Sequence, residues 1–352
     1  MSVVVIVVSV GVALFLFECI WIYSMAKKQE KNHIESEINY RRIIDLFDSI
    51  ISSPGDSESR KKAAQLKKHL GDSVENFDIF CEKFFDQLNK TNPEDERKQR
   101  VLFDLLDVVD PMGFYSKLLR SGSKYKRAHA CRKLADFEVG DEIKNIERFL
   151  SSKDSELSYN AAMALSQLGV EQGVSKYVVG CRENYQFSHR VLLQLFGEYN
   201  EDIKSLASLI FKECDDYIKA TVIKSIAKYR FADFEYIYLS ALRSKNTTMR
   251  VAGLAALGAL KNEKYEQEII RAANDKMWIV RNAAVKALGD IGTPGAVETI
   301  VRAISDIEWW VRYNAARTLV NMENGLEHIE RILQGYDTYA SDAMKYTLYR
   351  QE

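Results

Sequence analysis

The feature that most constrains the fold is a sequence repeat with a period of roughly 30 residues, which lies in the range of helical repeat arrays. Starting from Arg281, nearly constant steps in both directions along the chain reach a series of equivalent positions. These reference positions are Arg127, Ser158, His189, Lys219, Arg250, Arg281 and Arg312. A chain that repeats itself at an interval of this size is typical of stacked structural units, each contacting mainly its neighbours.

Two positions in each unit keep their character. The residue three after the reference is small or apolar, and the residue seven after it is large and apolar. The first set is Ala130, Ala161, Leu192, Val222, Gly253, Ala284 and Ala315; the second is Leu134, Leu165, Phe196, Ile226, Leu257, Leu288 and Leu319. Both positions fall on one face of a helix. Shorter apolar-periodic segments, such as 268–274 and 296–304, lie between these helices, so each unit is predicted to be a helical hairpin in an all-α fold.

The repeat resembles a known family through the string D-x-x-x-x-V-R-x-x-A-x-x-x-L-G. The unit from Asp275 to Gly289 carries it in full, and the unit from Asp306 lacks only the Gly. The unit around Arg250 has Ser244 in place of the Asp, and earlier units keep the period alone. The string is similar to the short bacterial HEAT repeat, which is also found in phycobilisome lyase subunits. Over roughly residues 111–335, the resemblance implies a right-handed α-solenoid of about seven HEAT-like hairpins, but it says little about function.

The acidic and basic residues of the motif keep a fixed spacing, as in Asp275 with Arg281 and Asp306 with Arg312. Glu183 before His189 and Glu213 before Lys219 repeat the spacing. HEAT repeats are known for ladders of such residues. We therefore expect the acidic residue, in the turn that enters the second helix, to bond both the start of that helix and the Arg.

An apolar stretch occupies residues 2–26, and its basic residues follow it, beginning with Lys27, Lys28 and Lys31. Its length fits a transmembrane helix, which needs about 20 residues. No Lys or Arg precedes the stretch, whereas a cleaved signal peptide has a charged region there. The sequence thus predicts an uncleaved single-pass anchor in the inner (cytoplasmic) membrane. The positive-inside rule places the N-terminus outside and the solenoid in the cytoplasm.

Glu18 is the one charged residue inside the predicted anchor. A carboxylate in hydrocarbon costs a few kcal/mol, so it is usually paired or faces protein. Two interpretations stay open. Glu18 could accept a hydrogen bond from a donor on an integral membrane partner, or it could reach the lipid headgroups at the inner interface. Glu18 is the candidate residue for a membrane partner.

Three regions follow from these features: an anchor over 1–26, a helical juxtamembrane region over 27–92 and a HEAT-like solenoid over 93–352. In the middle region Phe77, Phe80 and Phe84 fall on one stripe of a predicted helix. Such a stripe is typical of a core face.

Composition and motifs argue against several classes of function. The formal net charge is −1, so the chain lacks the basic surplus of a polyanion-binding protein. Its five cysteines show no CxxC spacing, which favours buried thiols in a reducing compartment. The sequence contains no Walker loop, GxGxxG or HExxH, and its five histidines show no ligand spacing. We therefore expect a protein that is not an enzyme and has no catalytic residue, cofactor or metal site.

Candidate binding residues come from one face of the second helices, which is expected to line the concave surface. At the position five after the reference, the residue is basic in most units, and these residues would favour an acidic peptide or a phosphate unless the face is simply solvated. Tryptophans recur at one position of successive units, where they either fill the groove between units or form an aromatic ridge for a partner. The candidates are Arg132, Lys224, Lys286 and Arg317, with Tyr159 and Tyr313 beside them, and Trp278, Trp309 and Trp310.

The function predicted from these features is a membrane-anchored cytoplasmic scaffold. It would bind a protein partner on the concave face and an integral membrane protein through the anchor, for instance in a polysaccharide-synthesising glycosyltransferase assembly of the cell envelope. Two alternatives stay open. The resemblance allows a bilin-lyase-like or other HEAT-repeat enzyme subunit, which an absorbance shift with a bilin would reveal. A nucleic-acid-binding HEAT-like protein would show a steep salt dependence of DNA affinity.

Overall fold

The structure is a computed structural model that describes residues 2–52, 56–180, 189–322 and 325–350. Within these ranges the side chains of residues 2–16, 19, 20, 32, 56, 189 and 213 lie outside the description. The described chain is helical, and it divides into two compact units, Met1–Lys117 and Leu118–Glu352.

The first unit is built from four helices and the start of a fifth. The C-terminal part of α1 packs against α2, α3 and α4, which follow it directly in the chain. Polar caps fix two of the helix starts: Ser73 accepts a hydrogen bond from the Asn76 amide, and Asp95 accepts one from the Lys98 amide. The helices are α1 (Ser2–Ile51), α2 (Asp56–Leu70), α3 (Val74–Lys90), α4 (Glu96–Val109) and α5 (Pro111–Ser121), the last crossing into the second unit.

Aromatic side chains form one part of the core of the first unit, beside aliphatic residues such as Leu66 and Leu102. Phe77, Phe80 and Phe84 are buried on one face of α3, which confirms the stripe predicted from the sequence. The Phe80 ring lies 6.0 Å from the Phe47 ring of α1, measured between centroids. Tyr115 is fully buried, and its hydroxyl donates a hydrogen bond of 2.7 Å to Asp78.

The membrane anchor is the principal correction to the sequence-based expectations. Where residues are described, no helix combines the length and the apolar character needed to cross a membrane. This finding contradicts two predictions, the transmembrane helix over 1–26 and the single-pass inner-membrane localisation, which are therefore wrong. Most side chains of the apolar stretch, 2–16 with 19 and 20, lie outside the described residues.

The physical reason is visible in the described part of α1. The helix continues without interruption from Ser2 to Ile51, so residue 26 is not the end of an element. Glu18 is exposed, and Lys27, Lys28 and Glu30 follow it within four turns. Charged side chains at this density are costly in hydrocarbon. The role of Glu18 as a contact for an integral membrane partner loses its basis together with the anchor.

The second unit consists of alternating helices in two sets. The even-numbered helices from α6 to α18 carry the reference positions, and each packs on the next even-numbered helix along a series that ends at α20. The odd-numbered helices lie between them in sequence, several beginning with a short 3-10 turn. The helices are α6 (Lys124–Asp136), α7 (Ile143–Glu147), α8 (Ser155–Gln167), α9 (Glu171–Gly180), α10 (His189–Glu198), α11 (Ile203–Glu213), α12 (Asp216–Ile226), α13 (Glu235–Leu242), α14 (Thr247–Leu260), α15 (Glu266–Ala272), α16 (Trp278–Ile291), α17 (Pro294–Ala303), α18 (Trp309–Val320), α19 (Leu326–Leu333) and α20 (Thr338–Tyr349).

The predicted repeat register is confirmed by burial. Every residue at the position seven after the reference, from Leu134 to Leu319, is at most 1% exposed. Every residue three after the reference is buried as well. The all-α helical repeat solenoid is therefore confirmed, and α20 adds a further helix to the series of even-numbered helices. Its handedness stays a prediction.

Gly253 shows why the position three after the reference is kept small. A Cβ atom on this residue would lie 2.7 Å from the Tyr238 carbonyl oxygen and 2.9 Å from the Leu242 amide nitrogen. Both atoms belong to the backbone of α13, which cannot rotate away as a side chain can. The two helices of this hairpin therefore approach each other closely because α14 has no side chain at the contact.

Candidate functional site

A ladder of arginine and aspartate residues joins the C-terminal repeats. Arg281 of α16 forms a two-point pair with Asp306, with Nε 2.7 Å from Oδ2 and Nη2 2.8 Å from Oδ1. The Asp306 carboxylate also accepts a hydrogen bond of 2.8 Å from the Glu308 amide at the start of α18. The side chains of Arg281 and Asp306 are only 13% and 12% exposed, so the pair is largely removed from water.

The electrostatics of Asp306 follow from these contacts. Burial alone would raise the pKa of the carboxyl, because it penalises the charged form. The hydrogen bonds from Arg281 and from the Glu308 amide outweigh burial and hold the pKa of Asp306 below its usual range. The carboxylate is therefore the stable form in the folded chain.

Each pair of an arginine and an aspartate is one rung of this ladder, and the preceding rung has the same construction. Arg250 of α14 lies with Nε 2.9 Å and Nη2 3.1 Å from the carboxylate oxygens of Asp275. Its other terminal nitrogen, Nη1, donates to the carbonyl oxygens of Ser244 and Lys245, each at 3.0 Å. Arg281 and Arg312 donate in the same way to the carbonyls of the turns that precede their own helices.

The direction of this ladder differs from the sequence-based expectation. Asp275 bonds the amide of Met277 at the start of α16, as predicted, but its carboxylate pairs with Arg250 of the preceding repeat. Arg281 takes only the backbone carbonyl of Asp275. The reason is the position of the Arg281 side chain. Arg281 lies one helical turn into α16, so one terminal nitrogen contacts the backbone carbonyls that precede the helix, and its other nitrogens face the carboxylate of the next repeat. The ladder thus links successive repeats. Glu183, with the side chains of His189 and Glu213, lies outside the described residues.

Comparison with known proteins agrees with this geometry. Residues 266–342 match the family model for HEAT repeats. The matched segment contains Asp275 and the pair of Arg281 with Asp306. No curated protein matches the chain.

Solved structures extend the likeness in fold to most of the chain. A variant of Kap121p is 14% identical with a TM-score of 0.50, covering 87% of this chain and 42% of its own. This chain therefore spans less than half of Kap121p, and the likeness shows the fold alone. An engineered protein (14% identity, TM-score 0.33) covers 88% of this chain and 98% of its own. The complex of CpcE and CpcF of phycocyanin lyase from Nostoc sp. PCC7120 (18% identity, TM-score 0.25) covers 68% of this chain and 88% of its own.

An aromatic cluster covers part of the surface of α18 and α20. The Trp309 ring stacks near Tyr313 at 6.1 Å and meets Tyr346 edge-on at 5.5 Å, while Trp310 meets Tyr313 at 6.3 Å. Arg312 lies over the Trp309 ring at 5.7 Å and over the Tyr339 ring at 5.3 Å. We call Trp309, Trp310, Tyr313, Tyr339 and Tyr346 the aromatic patch. Trp309 is 36% exposed and Trp310 55%, so the packing of the helices leaves large apolar area uncovered here.

The predicted tryptophans therefore do not behave alike. Trp278, at the start of α16, is half-buried. Among the described residues, no ring contact joins Trp278 to the aromatic patch. Trp309 and Trp310 belong to the patch. Tyr339 and Tyr346 were missed in the sequence because α20 does not follow the motif string, although tyrosines recur at 336, 339, 346 and 349. That recurrence was the available signal.

The predicted basic residues also lie in three different environments. Lys286 and Arg317 are exposed on α16 and α18, and Arg317 lies one helical turn from Tyr313 of the aromatic patch. Lys224 is half-buried on α12. The positive charge of Arg132 is partly offset, because its guanidinium lies 3.9 Å from the Glu198 carboxylate.

Tyr159 belongs to a second polar group on the same set of helices. Its hydroxyl donates a hydrogen bond of 2.8 Å to the Gln194 side chain on the next even-numbered helix. Burial, opposed by the nearby Arg132, raises the pKa of Tyr159. These contacts satisfy Tyr159 within the solenoid, whereas the aromatic patch keeps its rings available.

Proposed function

We propose that the chain is a scaffold that binds a protein partner through the aromatic patch on α18 and α20. The observation that carries the proposal is the exposure of Trp309, Trp310 and Tyr346 as one connected surface. Trp and Tyr dominate the binding energy of protein interfaces, and contiguous exposed apolar area on a folded protein usually marks a contact site. We extend the proposal to a scaffolding role without catalysis.

The charges around the patch define the partner's chemistry. Arg350 lies over the Tyr346 ring at 5.3 Å, and Arg317 is exposed beside Tyr313. Arg312 places its guanidinium over the Trp309 ring. A segment that places an apolar side chain between the rings and acidic side chains at its edges would satisfy both features. The envelope setting and the integral membrane partner depended on the predicted anchor and lose their basis with it.

The experiment is a comparison of matched variants. Trp310→Ala in the full chain should lower capture of the partner by about tenfold or more, as expected for an aromatic anchor. Trp310 is more than half exposed, so the variant should keep the wild-type circular dichroism spectrum. Tyr236→Ala is the control, because Tyr236 is 69% exposed on α13. The measurement is crosslinked capture from native cells with quantitative mass spectrometry. The proposal would be contradicted if no captured protein were reduced in amount with Trp310→Ala relative to wild type and to Tyr236→Ala.

A further inference from the structure

Two surface crevices occupy the same place in repeats far apart in the chain. One is lined by Arg243, Arg250 and Arg271, and the other by Arg120, Arg127 and Arg148. The sequence offset between the first arginines of the two sets is the same as that between the second and between the third. The three arginines are therefore an arrangement that the chain repeats in both crevices.

The crevices differ in two acidic residues: Glu268 and Asp275 line the crevice of Arg250, and the equivalent residues in the repeat of Arg127 are Asn145 and Ser152. Asp275 pairs with Arg250 at a sequence separation of 25, and Asp306 pairs with Arg281 at the same separation. The residue at that separation after Arg127 is Ser152, whose hydroxyl accepts the Asp154 amide at 3.1 Å. The first repeat thus has the arginine of the ladder and lacks its carboxylate.

Arg127 is poised as the ladder arginines are. Its Nη2 donates to the Arg120 carbonyl at 3.3 Å, and its guanidinium lies 5.8 Å from the centroid of the Phe149 ring. Its Nε is buried without a hydrogen-bond partner, as are the Nε atoms of Arg250 and Arg312. The difference from Arg250 is the charge nearby, because Nε of Arg250 lies 2.9 Å from the Asp275 carboxylate.

The charge balance of the crevice is positive. Glu142 is almost fully buried and is committed to Arg120 and to Asn145, the latter donating at 2.6 Å. Lys124 and Asp154 pair with each other nearby at 2.8 Å. Among the described residues, no carboxylate pairs with Arg127 or with the exposed Arg148. Two guanidinium groups therefore share one crevice with no counter-charge of their own.

We propose that this crevice binds a carboxylate of a partner protein, an aspartate or glutamate side chain on an acidic segment that completes the vacant rung. Arg127 would hold the carboxylate as Arg281 holds Asp306, Arg148 would supply the second cation and Phe149 the apolar wall. A carboxylate is favoured over other anions because the equivalent arginines Arg250 and Arg281 both bind one. This site is separate from the aromatic patch and does not depend on the proposed function.

The probe is a fluorescently labelled hexaglutamate peptide titrated against the full chain by anisotropy, with hexaglutamine as the uncharged reference. Arg127→Gln and Arg148→Gln should each weaken binding by about tenfold or more, as for loss of a charge-assisted hydrogen bond. Ser152→Asp should weaken it similarly, because the new carboxylate fills the rung, and should raise the melting temperature. Arg271→Gln is the control at the position equivalent to Arg148, since Arg271 already pairs with Glu268 and its crevice contains Asp275.

The outcomes separate the proposal from its alternatives. Ser152→Asn introduces a side chain of the size of aspartate without its charge, so it should leave the peptide affinity unchanged. The comparison of Ser152→Asp with Ser152→Asn keeps the site testable even if Arg127→Gln perturbs folding. Affinity that is unaffected by Ser152→Asp, or reduced equally by Arg271→Gln, would overturn the site. Displacement of the peptide by inorganic phosphate or free glutamate at equal charge concentration would show a site for small anions, which overturns the assignment to a partner segment.

Discussion

Replacing Asp306 by alanine should lower the free energy of unfolding by about 2–4 kcal/mol, somewhat below the cost of breaking a fully buried ion pair. The substitution removes both oxygens that bind Arg281 and leaves its guanidinium, 13% exposed in the folded chain, without a counter-charge. It also removes the acceptor of the Glu308 amide at the start of α18. The measurement is denaturant unfolding of the full chain followed by circular dichroism.

Two comparisons isolate the pair in that experiment. Asp306→Asn keeps an oxygen for the Glu308 amide and should lose less stability than the alanine variant. Glu298→Ala removes an exposed carboxylate from the adjacent α17 and should change stability by less than about 0.5 kcal/mol. A loss from Asp306→Ala no larger than that from Glu298→Ala would show that the ladder contributes only as a surface ion pair does.

The contribution of the Arg281 and Asp306 pair should also depend on pH in a defined direction. The folded chain holds the pKa of Asp306 below its usual range, so the unfolded chain binds a proton first as pH falls. The stabilisation is fully present above the unfolded value, roughly 3.9, and is lost as pH falls through the lower folded pKa. The difference in unfolding free energy between wild type and Asp306→Asn should therefore be constant near neutrality and shrink below about pH 4. A difference that shrinks around neutral pH instead would assign the effect to another group.

The repeat register could be predicted from sequence because burial and helical geometry act on each unit in the same way. Leu134 and Leu319 lie in the first and last units of the repeat series, yet both are completely buried at the same position of their units. The direction of the ladder could not be predicted, because the spacing of Asp275 allows a contact within its own unit as well as one with the preceding unit. Side-chain reach across the interface between repeats decides that choice.

The membrane prediction went wrong because it read an apolar stretch without the helix that contains it. In the structure, α1 extends through Lys27 and Lys28 to the core residues Ile43 and Phe47 without a break. The sequence named part of the aromatic patch as binding candidates. Trp309 and Tyr313 were identified by their repeat positions and Trp310 as the neighbour of Trp309, whereas Tyr346 joins them from a helix whose sequence departs from the motif.

Replacing Leu288 by alanine should cost about 2–5 kcal/mol of stability, the range for truncating a buried leucine. Leu288 has no exposed area, and its helix α16 packs between α14 and α18, so the neighbours on both sides are held and collapse poorly into the space. Lys286→Ala on the same helix is the control. Lys286 is exposed, so its removal should change the unfolding free energy by less than about 0.5 kcal/mol.

The location of the damage tests the repeat architecture itself. Repeats in a solenoid couple mainly to their nearest neighbours, so the Leu288→Ala variant should lose amide protection first in α14, α16 and α18. Helices α6 and α8, which pack on each other several repeats away, should keep wild-type hydrogen exchange under the same conditions. Uniform loss of protection from α6 to α20 would mean that the second unit unfolds as one cooperative block. A stability change below about 0.5 kcal/mol would mean that the interface between repeats does not depend on the residue seven after the reference.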